Sequence, residues 1–250
     1  MVSSPQQYRE NERRQEERRP TPAVALAVSP HPDDAEVGAG ATLARWAREG
    51  CQVVLAVCTN GDKGSEDPQM TSERLARLRR EEQLAAAQVL GIKDVVFLEH
   101  PDGGLEDDVQ FRGELVRLIR QYRPEVALST DPDRRYMQHR DHRMSGQVTL
   151  DASFPYARDR LSFPEHLAQG LSVHKVREVL LWGADTPNFY VDVSTTYQLK
   201  IESLLQHKSQ GFGRRPREEM ERMMKERLSE NGKALRVPLA EAFRRIEIRF

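Results

Sequence analysis

Short apolar runs of strand length alternate with segments of helical period along most of this chain. Residues 23–29, 52–58, 94–98 and 125–130 are apolar almost throughout, whereas 35–49, 72–90 and 109–122 repeat their apolar side chains at three- and four-residue spacing. Strands that are apolar on both faces, separated by amphipathic helices, predict a mostly parallel, Rossmann-like α/β sheet flanked by helices on both sides. Gly50 and Gly91 stand where a helix must stop before the next strand, and Thr71-Ser72-Glu73 offers a capping side chain to the helix over 72–90. The C-terminal part is less regular. It holds strand-like runs near 176–183 and 189–193, a helical stretch over 194–207, and a highly charged segment, 214–233, read as a solvated helix or flap. Ile246-Glu247-Ile248 is expected to pair at a sheet edge. Residues 23–250 are read as one domain, with 195–250 as its elaboration.

Composition narrows the class without changing this picture. The 250 residues carry 38 basic and 39 acidic side chains for a net charge of −1, so nothing favours nucleic acid or a membrane surface as a partner. No apolar run reaches the ~18 residues of a membrane span. The first twenty residues hold five Arg and four Glu among Gln, Ser and Pro. Lacking an apolar stretch, residues 1–22 are read as a charged, frayed tail and not as a secretory leader. Cys51 and Cys58 bracket one expected strand, whose seven residues span roughly 23 Å when extended, far beyond disulfide reach. They are expected as buried free thiols in the reducing cytoplasm, and two cysteines without a CxxC pair exclude a structural zinc ribbon.

Polar clusters fall repeatedly at one place in the alternation, just after a strand. They are His31-Pro32-Asp33-Asp34, the stretch Thr59 to Ser65, Pro101-Asp102-Gly103-Gly104, and Asp131-Pro132-Asp133. In an open α/β sheet the C-terminal strand ends line the binding crevice, so these four loops are expected to converge on one pocket. Gly38-Ala39-Gly40 imitates part of a dinucleotide fingerprint, but Leu43 stands where the third glycine belongs and the pattern begins inside the expected helix. No nucleotide cofactor is expected; close helix packing accounts for these glycines.

Two adjacent aspartates and a histidine at the end of a buried strand need a positive partner. His31 and Asp34, three apart around Pro32, can be aimed at one point by a tight turn. His142, from the cluster His139-Arg140-Asp141-His142, can complete a hydrolytic metal site of two histidines and one carboxylate. Asp33 is then free to act as a base. His139, one helical turn from His142, can stabilise an oxyanion or protonate a leaving amine, and Asp141 is placed to hydrogen-bond an imidazole and fix its tautomer. Taken singly, each cluster reads as a turn or a polar helix face; their joint occurrence after two strands favours a site.

These residues resemble the PIG-L/LmbE family of zinc-dependent N-acetylglucosaminyl deacetylases. The resemblance runs through Ser29 to Glu36, Thr59 to Ser65, Arg79-Arg80-Glu81-Glu82 with Ala85-Ala86-Ala87 and Leu90-Gly91, Asp102 to Leu105, the His139 to His142 cluster, and His207-Lys208-Ser209-Gln210. It implies a Rossmann-like domain without a nucleotide and one Zn2+ bound by His31, Asp34 and His142. It further implies Asp33 as general base, His139 supported by Asp141 as the group stabilising the tetrahedral intermediate, and Arg79 and Asp102 as sugar contacts. His207 is expected to close the pocket from the C-terminal segment. Self-association is also implied. The chain departs from the commoner pattern in having Ala35 before Glu36 and Arg140 where a proline often stands.

The expected activity is hydrolysis of the N-acetyl group of an N-acetylglucosamine-type sugar or conjugate. One alternative is an amidase that cleaves a larger amide, of thiol-conjugate type, with the same machinery. Another is a non-catalytic metal- or sugar-binding protein, disfavoured because a metal store gains nothing from a spare carboxylate beside an incomplete ligand set. A two-metal phosphoesterase lacks the additional carboxylates it would need.

Overall fold

The structure, a computed structural model, describes residues 20–137 and 139–249; the charged tail expected over 1–22 therefore lies outside the described residues up to position 19. The parallel alternation is present. It consists of β1 (Val24–Ser29), α1 (Asp34–Arg48), β2 (Gln52–Thr59), α2 (Ser72–Leu90), β3 (Asp94–His100), α3 (Val109–Tyr122), β4 (Val126–Thr130) and α4 (Arg140–Ser153). After a short helix α5 (Pro164–Ala168) come β5 (Glu178–Trp182), β6 (Phe189–Asp192), α6 (Tyr197–Leu204), α7 (Arg217–Leu235) and β7 (Ala240–Glu247). The sheet order is β3-β2-β1-β4-β5-β7-β6, parallel up to β5 and antiparallel beyond it.

Burial of β1 matches its interior place in the sheet, between β2 and β4. Ala25, Leu26, Ala27 and Val28 are all fully enclosed. Ala25 and Ala27 pack with Ala35, Ala39 and Leu43 of α1, while Leu26 and Val28 pack on the other face with Phe111 and Leu115 of α3 and Val148 of α4. A large side chain buried in this way contributes about 2 kcal/mol. The small residues serve closeness instead: a Cβ on Gly38 would lie 2.3 Å from the Trp182 ring.

β7 joins two strands in turn: Ala240 to Phe243 pair with β6, and Phe243, fully buried, to Glu247 pair with β5. Ile246 and Glu247 therefore pair on one side only, at a sheet edge as expected. The turn expected from His139 to His142 belongs to a full helix over 140–153. This helix is held by packing, since a Cβ on Gly146 would meet the Thr130 carbonyl oxygen at 2.3 Å. A buried ion pair secures the C-terminal part to α1. Lys200 Nζ donates to Glu241 Oε1 at 2.5 Å and to the Val37 carbonyl at 2.8 Å, and Glu241 accepts the Thr42 N–H at 2.7 Å. Both charges thus keep hydrogen-bond partners inside the protein. No helix among the described residues is long and apolar enough to cross a membrane.

The sheet order places the site. β1 pairs with β2 on one side and β4 on the other, so the chain leaves β1 and β4 in opposite directions. Such a switch point opens a crevice at the C-terminal strand ends, and the clusters following β1 and β4 both border it.

Candidate active site

The turn after β1 is built by Ser29. Its Oγ donates to the His31 carbonyl at 2.7 Å and accepts the Ala35 N–H at 3.0 Å, capping α1 from outside the helix. Asp33 holds the N-cap position of α1 but makes no side-chain cap bond, and its backbone takes φ 108° and ψ −26°. Positive φ is unfavourable for a residue with a Cβ, and such strain concentrates at functional positions. The turn thereby sends the two adjacent carboxylates in different directions.

Asp34 points at the histidines. Its Oδ2 lies 2.9 Å from His31 Nδ1 and 3.2 Å from His142 Nε2. The other edge of the His31 ring faces two further carboxylates, Asp141 Oδ2 at 2.9 Å and Asp102 Oδ1 at 3.1 Å. Asp141 is fully buried and also accepts the N–H groups of Gly103 at 2.7 Å and Leu105 at 3.1 Å. Burial works to raise the Asp141 pKa, but the bonds from His31, Gly103 and Leu105 outweigh it and hold the carboxyl below its usual range. Asp141 hydrogen-bonds an imidazole, as its position suggests, but the ring is His31 and not the His139 that the resemblance implies. His139 caps α4 in extended conformation, is exposed, and sets its ring edge-on to His31 at 4.5 Å and 5.1 Å from His142.

Asp33 points the other way, toward α2. Arg79 Nη2 donates to Asp33 Oδ2 at 3.1 Å and to the Pro32 carbonyl at 2.6 Å, and Nη1 donates to the Gly61 carbonyl at 3.3 Å. Burial pushes the Asp33 carboxyl well above its usual pKa, and the Asp34 charge adds to this, against the opposing pull of Arg79. A raised carboxylate is what a general base working near neutral pH requires.

Of the three expected substrate contacts, only Asp102 borders the histidines. Arg79 is 4% exposed and its guanidinium is bonded to protein groups. His207 is fully enclosed, with neither ring nitrogen hydrogen-bonded, 3.9 Å from Glu36 Oε2. Enclosure places His207 behind the site and not over its mouth. Sequence reasoning gave no role to Gln83 or Glu36, both fully buried beside Asp33. The available signal was spacing: Gln83 follows Arg79 by four residues and so shares its helix face.

The residues fit a divalent cation. A single buried imidazole is ringed by the carboxylates of Asp34, Asp102 and Asp141, an excess of negative charge that asks for a positive partner. Burial disfavours charge on His31, yet hydrogen bonds to Asp102, Asp141 and Asp34 push it up to about 11. Ligand atoms of His31, His139 and His142 lie within 4.8 Å of one another, as do those of His31, Asp102, His139 and Asp141. Imidazole and carboxylate donors at such closeness are a transition-metal set.

Residues 26–153 match the PIG-L family, described as GlcNAc-PI de-N-acetylase. The chain belongs to the PIG-L family. Among its PIG-L relatives is a diacetylchitobiose deacetylase from Thermococcus kodakarensis, 32% identical over 185 residues, covering 74% of this chain and 69% of that one. A mycothiol S-conjugate amidase from Streptomyces coelicolor is 33% identical over 161 residues, 56% of this chain and 54% of the amidase. The fold is that of the N,N'-diacetylchitobiose deacetylase from Pyrococcus horikoshii, with a TM-score of 0.84, 24% identity, and coverage of 99% of this chain and 94% of that one. The mostly parallel sheet flanked by helices is thus the PIG-L architecture.

Proposed function

We propose that this protein is a metal-dependent N-deacetylase that hydrolyses the acetamide of an N-acetylglucosamine-type sugar or conjugate. One observation carries the reading: Asp33 and Asp34, adjacent in sequence, face opposite ways, one toward His31 and His142 and the other toward Arg79. A metal centre alone has no use for the second, buried carboxylate. Relatives acting on acetylated amino sugars support the substrate class.

His31, Asp34 and His142 would hold the cation, and zinc suits two imidazoles and a carboxylate. A divalent cation there acidifies water and polarises a carbonyl oxygen. Asp33 takes the proton from the attacking water and passes it to the departing amine. His139, exposed at the rim beside both other imidazoles, donates to the oxyanion of the tetrahedral intermediate. Asp141 orients His31, and Asp102 borders the substrate.

The finer readings have separate support. Two buried free thiols suit the cytoplasm, and the partly exposed apolar edge strand β3 offers a surface for self-association. Insertion of β7 into the sheet supports reading 23–250 as one unit.

The test is acetate release from N-acetylglucosamine and diacetylchitobiose by chelated, zinc-reloaded and Asp33→Ala protein. Zinc-dependent release, cut about 10²–10⁴-fold in Asp33→Ala with zinc stoichiometry retained, is expected. Cleavage of bulky thiol-conjugate amides without acetate release would favour the amidase reading, which the likeness to the mycothiol S-conjugate amidase motivates. Zinc binding with no hydrolysis of either class would leave a binding protein.

A further inference from the structure

Asp33 is gripped twice by one face of α2. Arg79 holds its carboxylate, and Gln83, one turn further on, holds its main chain: Gln83 Oε1 accepts the Asp33 N–H at 3.0 Å. The Gln83 amide cannot turn over, because Nε2 donates to Glu36 Oε1 at 2.6 Å. Turned, it would set its oxygen against a carboxylate and its NH2 against the Asp33 N–H. Gln83 and Glu36 are both fully buried, so each bond forms in a medium where losing it leaves a polar group unsatisfied.

The C-terminal segment closes round this pair from behind. The adjacent Glu82 accepts the Ser209 N–H at 2.7 Å and the Ser209 hydroxyl at 2.6 Å. The enclosed His207 ring lies against Glu36. The segment His207-Lys208-Ser209-Gln210 thus packs behind the site, against α1 and α2 together.

The backbone of Asp33 is the reason such support is needed. A positive φ at a non-glycine residue persists only where its surroundings over-determine it, and at Asp33 the N–H bond to Gln83 fixes the peptide plane. We propose that Gln83, set by Glu36, is a positioning residue that holds the main chain of Asp33 in its left-handed conformation and so aims the base. The inference rests on the deacetylase reading, because it assigns Gln83 an effect on turnover through Asp33.

The test is a mutant cycle on the zinc-loaded full chain, read as acetate release. Gln83→Leu is expected to lower kcat on the order of 10–100-fold, the usual scale for outer-shell partners, with KM and zinc stoichiometry unchanged. The solvent deuterium isotope effect on kcat should rise, because the proton transfer becomes slower; a smaller folded fraction would leave that ratio unaltered. In an Asp33→Ala background the same substitution should change residual turnover by less than about twofold, since residues acting as a unit are not additive. The exchange variant Glu36→Gln with Gln83→Glu keeps both hydrogen bonds, with donor and acceptor swapped between positions 36 and 83 and the Asp33 N–H still donating to position 83, and should recover most of what Gln83→Glu alone loses. Equal losses in the wild-type and Asp33→Ala backgrounds, or an exchange variant no better than Gln83→Glu, would overturn the proposal. Absence of acetate release from the wild type would instead refute the deacetylase reading itself.

Discussion

Asp141 Oδ2 lies 2.9 Å from His31 Nε2, so a carboxylate at the start of α4 orients an imidazole at the end of β1. The two residues are 110 positions apart, and their bond ties together the two sides of the switch point. Such carboxylate–histidine pairs fix the ring and raise its basicity toward a metal. Asp141→Asn keeps the shape but removes the charge. It is expected to weaken zinc binding by about 10–100-fold, measured by competition with a chromogenic chelator. An unchanged zinc affinity would remove Asp141 from the support of His31.

Metal binding should expel protons. In the metal-free protein His31 is pushed up to about 11, so it carries a proton at pH 7.5. Ligation needs the neutral ring, so at least about one proton leaves per metal bound, and apparent affinity climbs with pH up to that value. Calorimetric titration in two buffers of different ionisation enthalpy should give heats differing by at least one proton's worth. Heats independent of buffer would mean that His31 does not ligate.

His100 offers a stability test at a residue outside the proposed ligand set. Its Nε2 lies 2.6 Å from Glu114 Oε2, and this hydrogen bond raises the His100 pKa against the opposing effect of burial. The folded state therefore holds this proton more firmly than the unfolded chain. The stabilisation is fully present below the ordinary histidine pKa and fades as pH rises through the raised value. Urea unfolding at several pH values should show His100→Gln matching the wild type more closely at high pH than at low. The opposite trend would mean that the pair contributes nothing.

A substitution away from every proposed ligand should also disturb the metal. Gly146→Ala would set a Cβ 2.3 Å from the Thr130 carbonyl oxygen and 2.8 Å from Pro132 Cδ, so α4 must back away from β4. That helix carries Asp141 and His142. Overpacking of this kind costs about 1–3 kcal/mol, read as a lower unfolding midpoint, and a displacement near 1 Å can slow turnover by about 10²-fold. Wild-type stability together with wild-type activity would show that α4 has room to spare.

Much of the fold was legible because it rests on local periodicity. The helix Ser72–Leu90 begins at its Thr71 cap, whose side chain accepts the Arg74 N–H at 3.2 Å, and ends at Gly91 with φ 78°. Both signals stand in the sequence. Only the first turn of the helix Arg140–Ser153 was legible, because the helix contacts the core through small and polar residues such as Gly146, Ser145 and Thr149. For β7 the edge pairing of Ile246 and Glu247 was legible, whereas the pairing of Ala240 to Phe243 with β6 is non-local and was not.

The sequence alone determined which chemical groups this protein brings to its crevice: alternation set a parallel sheet, and His31, Asp34 and His142 follow strands that such a sheet must end on one side. Tertiary structure decided what each group faces. Asp33 and Asp34 are neighbours that no sequence rule separates, yet a left-handed backbone turns one toward Arg79 and leaves the other beside two imidazoles. The enclosure of His207, and the grip of Gln83 on Asp33, likewise depend on how α1, α2 and the C-terminal segment pack. Periodicity reports on which side of an element is buried, whereas the direction of a single carboxylate depends on contacts between residues far apart in the chain.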